Sequence, residues 1–267
     1  MKRAFTAAAL LLCMAVTGCA RVEETAQPEA ECQKKNNAGE AEFTSGMKQL
    51  SSEPAVTSGL KEGSKLLDVE NILQNPELPT GCECVSLTMV LNYLGCTADK
   101  LDIARYYLPK MDFYYEDGEQ YGADFRRVFA GDPEKPDSYG CYAPCIAEAA
   151  SAYIESRGFD AEVTDITGTG FDKLLTDYID EETPVLIWVT TNDLHETEPT
   201  AVWKTPEGEE VQWKAYEHCV VLTGYDEDNS LIYVSDPLYG STFYDRGRIT
   251  ERYNDMGKQA VCIVPEK

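Results

Sequence analysis

Histidine is scarce in this chain, with two copies, and its 23 Lys and Arg are outnumbered about two to one by 47 Asp and Glu. Imidazole chemistry therefore has two candidates, His195 and His218. A formal net charge of −24 denies a phosphate backbone the basic footprint it needs, which excludes nucleic acid as an expected partner. Beyond the first 16 residues no apolar run approaches the roughly 20 residues that cross a bilayer. The remainder is expected to lie outside the membrane. Neither cysteine nor hydrophobic mass is lacking: there are ten cysteines, and 43% of the 267 residues are apolar. That is enough for one large or two small domains with a substantial core.

The first residues read as a targeting segment. Lys2 and Arg3 form a basic start, and Ala4 to Val16 an apolar stretch too short to span. Val16-Thr17-Gly18-Cys19 resembles a bacterial lipobox. The resemblance implies a signal peptide over 1–18 and a lipid on Cys19, with more than one acyl chain needed for stable anchoring. A plain secretory signal is the alternative. Residues 19–65 are rich in Glu, Ala, Ser, Gly, Lys and Gln and read as a flexible tether. The folded domain is expected over 66–267, and a chain cut to those residues to unfold at the same midpoint as 20–267. The odd, irregular set of cysteines forces no disulfide framework; a bridge between Cys141 and Cys145, or from one of them to Cys84, is an alternative to free thiols.

The domain is organised around Leu78-Pro79-Thr80-Gly81-Cys82-Glu83-Cys84, which opens a helix. Thr80 and Glu83 have the spacing of a capping box. Leu87, Val90, Leu91 and Leu94 follow at helical spacing, and Gly95 suits the position just past a helix end. With Thr80 as N-cap, Cys82 falls in the first turn. Free amides and the macrodipole there favour an anion, so its thiol is expected to ionise below the free value of about 8.5. Such a cysteine is a nucleophile candidate, with a half-buried structural cysteine as the other reading. Cys84, roughly 200° around the helix, should diverge from it.

Further helices are expected over 98–108, 144–157, 171–179 and about 249–256. Strands are expected over 160–166, 184–190, 219–225, 231–235 and 259–264. Helices first and antiparallel strands later make an α+β chain. Met111 to Tyr142 reads as a long aromatic loop, with Tyr114, Tyr115, Tyr139 and Tyr142 as cleft-wall candidates. His195 sits in a polar insertion and reads as a solvated loop residue. Pairing 219–225 with 231–235 as a hairpin brings His218 beside Asp236, one strand over. A carboxylate there can fix the imidazole tautomer, the orienting role in nucleophilic catalysis. Cys82, Cys84, Cys141, Cys145 and His218 are also metal-ligand types, but their spacing is not that of zinc pairs. Neither a metal nor a cofactor is expected.

Several runs together carry a resemblance to the C-39-like cysteine peptidase family. They are Gln74-Asn75-Pro76-Glu77-Leu78-Pro79-Thr80-Gly81-Cys82-Glu83, Phe129-Ala130-Gly131-Asp132-Pro133, Gly140-Cys141-Tyr142-Ala143-Pro144, Pro184-Val185-Leu186-Ile187-Trp188, His218 to Tyr225, and Ser235-Asp236-Pro237. The resemblance implies a papain-like fold with Cys82 as nucleophile, His218 as general base, Asp236 as orienter and Gln74 as a side-chain oxyanion donor. It also implies a peptide or isopeptide substrate. Exporter leader peptidases of that kind show Asp-Cys-Gly where this chain has Gly81-Cys82-Glu83, which weakens transfer of their double-glycine specificity. A non-catalytic surface-binding lipoprotein on the same fold is the alternative function.

Overall fold

The computed structural model describes residues 63–266, and at its centre is the run Val185-Leu186-Ile187-Trp188-Val189-Thr190, every residue of which is buried. Unbroken apolar and β-branched residues suit a strand covered on both faces. In chain order the elements are β1 (Ser64–Leu66), α1 (Cys82–Tyr93), α2 (Lys100–Asp102) continuing as a π-helical stretch Ile103–Tyr107, β2 (Lys110–Met111), β3 (Tyr114–Glu116), β4 (Glu119–Tyr121), β5 (Phe129–Ala130) and α3 (Ala143–Arg157). The second half supplies β6 (Ala161–Asp165), α4 (Phe171–Leu174) with a π-helical stretch Leu175–Ile179, β7 (Val185–Thr190) and α5 (Thr191–Leu194). It closes with β8 (Pro199–Lys204), β9 (Glu210–Lys214), β10 (Glu217–Asp226), β11 (Leu231–Asp236), β12 (Gly240–Asp245), α6 (Arg246–Asp255) and β13 (Ala260–Pro265).

The main sheet runs β12-β11-β10-β7-β13-β6, with β1 added to β10, and its pairs are antiparallel. The chain is α+β, as its pattern implies. On one edge β10 holds β7 through Glu217 to Leu222 and then β1 through Gly224 to Asp226. Ser64 and Lys65, placed in the tether by the sequence, are strand residues instead. Ser-Lys-Leu has no apolar alternation to reveal it, and what recruits it is the free edge of β10 beyond the end of β7. Cutting the chain at Leu66 therefore removes part of a strand, and the equal unfolding midpoints expected for 66–267 and 20–267 no longer follow.

Gly224 is where β1 and β10 come closest. A Cβ there would run into the Lys65 carbonyl oxygen and stand 2.8 Å from Leu66 Cα, both backbone atoms that cannot swing aside. Gly224→Ala should cost about 1–3 kcal/mol, the range of overpacking. A thermal melt checks this, and an unchanged midpoint would mean β1 contributes nothing.

α1 is buried over Cys82 to Leu91 without a polar face, touching β10, β7 and α3. The apolar stripe expected of it is thus widened to the whole circumference, as in a core helix. Its buried hydroxyls are satisfied: Ser86 donates to the Cys219 carbonyl at 3.0 Å and Thr88 to that of Cys84 at 2.8 Å. Gly95 stops it as expected, at φ +90°, with Gly95 N–H bonded to Asn92 O and Cys96 N–H to Leu91 O, the two bonds of a Schellman end.

The segment Met111 to Tyr142 is structured rather than a loop. β2 pairs with β5, and β3 and β4 extend the small sheet β3-β4-β8-β9. Phe125, Trp203, Val211 and Trp213 close a second core around it, with Tyr139 and Tyr142 packed against it. Tyr114 and Tyr115 are exposed on the β3–β4 hairpin. Ring packing among residues far apart in sequence, such as Phe113 on Trp203 with centroids 5.1 Å apart, is what replaces the expected loop. The cysteines in the described residues, Cys82, Cys84, Cys96, Cys141, Cys145, Cys219 and Cys262, carry free thiols, so of the two readings left open for Cys141, Cys145 and Cys84 the bridged one is not formed.

Candidate active site

The capping box read in the sequence is not made. Gly81 is the N-cap of α1 and no side chain caps it. The Thr80 hydroxyl instead donates to the carbonyl of Lys135 at 3.0 Å. Glu83 turns into the protein, where its Oε1 accepts the Cys141 N–H at 2.7 Å. A partner 58 residues away competes successfully with a local one, because the buried carboxylate gains a well-aligned donor. Cys82 consequently occupies N1 rather than N2, and its backbone N–H is one of the helix's unpaired donors.

β10 carries the next group. Val221 pairs with Ser235 and Leu222 with Val234, the register expected from the hairpin; a bulge between Leu222 and Gly224 then shifts the remainder by one. At the open end His218 Nε2 lies 2.9 Å from Asp236 Oδ1, with the two side chains 2% and 0% exposed. Asp236 is held by more than the imidazole. Leu238 N–H and Tyr239 N–H donate to Oδ1 at 2.7 and 3.2 Å, and the Tyr244 hydroxyl to Oδ2 at 3.3 Å. Four donors converge on one carboxylate and fix its direction.

Cys82 meets this strand beside His218. Its Sγ accepts the Cys219 N–H at 3.4 Å and donates to Glu83 Oε2 at 3.3 Å. The thiol is thus bonded to the backbone of the residue after His218, with no direct hydrogen bond to the imidazole. The expected low thiol pKa is reversed: burial pushes the Cys82 thiol well up, and the charges of Glu83 and Glu217 push it further. The macrodipole argument described the helix end correctly but had no view of the surroundings. Burial also raises Glu83, to about 7, and raises Glu217 well above the usual carboxylate range, helped by the charge of Glu83. Glu217 was missed in the sequence; the signal was an acid directly ahead of a long apolar strand.

The segment before α1 is stitched to the Asp236 turn. Gln74 N–H donates to the Pro237 carbonyl at 2.8 Å, and Asn71 Nδ2 to that of Asp236 at 3.0 Å. Gln74 is buried, and its Nε2 is bonded to the Pro79 carbonyl at 2.9 Å, three residues short of Cys82. His195 is away from these groups, exposed, with its Nδ1 2.9 Å from Glu196 O. Cys84 is fully buried one residue past Glu83.

A family model matches the chain over residues 66–261. The chain belongs to the Peptidase_C39 like family. Among solved structures, one from Bacillus anthracis assigned to the C39-like peptidases is 30% identical, with a TM-score of 0.63, covering 76% of this chain and 98% of that one. Among known proteins, the uncharacterized YvpB of Bacillus subtilis (strain 168) is 31% identical over 207 residues, 76% of this chain and 78% of that protein. The fold is that of a cysteine peptidase of the papain-like kind. In this family member Cys82, Glu83 and Glu217 offer one donor atom each within 4.8 Å of one another. Both Glu83 oxygens are already taken by N–H and S–H donors, so we assign no metal to the cluster. No helix among the described residues is long and apolar enough to cross a membrane.

Proposed function

We propose that the protein is a cysteine peptidase, held outside the cell by a lipid on Cys19, that hydrolyses peptide or isopeptide bonds. Cys82 is the nucleophile, His218 the general base and then acid, and Asp236 the group that orients the imidazole. The observation that carries the reading is the buried His218–Asp236 bond of 2.9 Å on the strand whose next amide, Cys219 N–H, bonds the thiol at the first position of a buried helix. Family membership supports it. Residues 1–62, which include the signal peptide and Cys19, lie outside the described residues, so the anchor rests on the lipobox-like run alone.

The chemistry follows from the roles. His218 takes the thiol proton, sulfur bonds to the carbonyl carbon, and the C–N bond breaks as His218 returns the proton to the leaving amine. Water then hydrolyses the thioester. The oxyanion formed on the way needs donors. The unpaired Cys82 N–H is one and the Gln74 side chain, released from Pro79, is the second, each worth about 10²–10³ in rate.

An active-site-directed cysteine probe tests this, followed by mapping of the adduct and assay against a mixed peptide library. The adduct should fall on Cys82 and peptides should be cut. Labelling of another cysteine with no cleavage would overturn the reading in favour of a non-catalytic binding lipoprotein. For the anchor, Cys19→Ser should release the protein from the membrane fraction, and a variant that stays bound would refute the assignment.

A further inference from the structure

Two buried carboxyl groups stand beside the nucleophile and take no part in the steps above. A Cβ at Gly140 would be 2.5 Å from Glu83 Oε1 and 3.0 Å from Glu217 Oε2, so both carboxyls face the same backbone position. Glu83 has two donors, the Cys141 N–H and the Cys82 thiol. Glu217 Oε1 is buried with no partner. Two carboxylates this close and this dry cannot both stay ionised, and the proton settles on the member with fewer donors. Glu217 is then the protonated partner and Glu83 the one that carries charge. That charge points at the Cys82 sulfur.

We infer that Glu83 and Glu217 are positioning residues for the nucleophile: through the S–H···Oε2 bond to Glu83, the acid pair keeps Cys82 a neutral, weakly nucleophilic thiol in the resting protein. The other titratable groups facing the thiol or the acid pair are Cys219, beside the thiol, and His218, both from β10, Cys84 from α1, and Cys141 and Tyr142 ahead of α3. Asp236 stands behind His218. The direction of the Cys82 shift agrees, with Glu83 the largest influence on it after burial. Loss of the thiol proton would put a second negative charge 3.3 Å from a carboxylate oxygen, a repulsion hardly screened inside the protein. The thiolate forms readily once that charge is removed by a proton on Glu83 or by substitution.

The inference rests on Cys82 being the nucleophile, but its test reads alkylation of that thiol and not turnover, so the two readings fail separately. The full chain, Glu83→Gln and Glu217→Gln are treated with limiting iodoacetamide across a pH series, and the adduct on Cys82 is quantified by mass mapping. Gln at 83 keeps an acceptor for the Cys141 N–H and removes the charge. The alkylation rate of Cys82 at pH 7 should rise about tenfold or more in Glu83→Gln, the equivalent of one pKa unit, with the midpoint of the pH profile moved to the acid side. Glu217→Gln replaces a neutral acid by a neutral amide and should leave that midpoint where it is or move it to the alkaline side. A midpoint common to wild type and Glu83→Gln overturns the inference. So does a rate raised equally at every pH, since that reports loosened packing and not ionisation. If Glu83→Gln does not fold, the wild-type profile decides: a Cys82 midpoint at or below the free thiol value of about 8.5 overturns the inference.

Discussion

Cys82→Ala is expected to lower turnover of any cleaved peptide by about 10⁶, the scale seen when a nucleophile that works as one unit with its base is removed. The fold should survive. Alanine is the best helix former, and what is lost with the sulfur is a donor to Glu83, which can take up a proton in its place, and a long acceptor contact to the Cys219 N–H. Cys84→Ala is the matched control. That thiol is fully buried, so its loss should cost about 1 kcal/mol of stability, roughly one methylene's worth of burial, while most turnover is retained. Steady-state kinetics and a thermal melt on the pair separate the two roles. Loss of turnover in Cys84→Ala at an unchanged midpoint would move the nucleophile assignment from Cys82.

Asp236→Asn should be nearly as severe, lowering turnover by about 10⁴ with the overall fold retained. Asparagine still offers one oxygen to the Leu238 and Tyr239 amides that hold Oδ1. That same oxygen is the one bonded to His218 Nε2, and the N–H₂ group then replaces Oδ2 against the Tyr244 hydroxyl. What is lost is the charge: a neutral amide no longer stabilises the imidazolium formed when His218 takes the Cys82 proton. Asp236→Ala is a different experiment. It strands two backbone amides, a phenol and an imidazole in a dry site, and unpairing buried groups of this kind costs about 1–3 kcal/mol each. The melting temperature should therefore fall sharply in Ala and little in Asn, while turnover is lost in both. Wild-type turnover in Asn would remove Asp236 from the mechanism.

The parts of this molecule that could be read from its sequence are those decided by neighbours along the chain. Gly95 stops α1 because a glycine at that offset closes the Schellman bonds whatever surrounds it. The hairpin of β10 and β11 pairs at its open end in the register that its loop length implies, which is why Asp236 was found beside His218. The misreadings have a common cause. Thr80 and Glu83 have perfect spacing for a local cap, yet each is bonded to a segment more than fifty residues away. β1 is a strand only because β10 offers an edge. The thiol pKa went the wrong way because the dipole is a property of the helix and burial a property of the whole fold. Glu217 stood next to His218 in plain view, but nothing in one dimension reveals that its carboxyl meets that of Glu83.

The free thiols have one more consequence. Cys82, Cys84, Cys141, Cys145 and Cys219 are all nearly or wholly out of reach of solvent, and they neighbour one another: Cys219 beside Cys82, Cys145 beside both Cys84 and Cys141. An oxidant in solution meets Cys84, Cys141, Cys145 and Cys219, each 0% exposed, only when the core around them opens. Their disappearance over time is therefore a clock that counts openings of the protein's centre. Once one opening is caught, a neighbouring sulfur is at hand to close the first sulfenic acid into a bond the folded chain does not have. The native packing is what keeps this protein reduced, and its redox lifetime is set by how seldom it breathes.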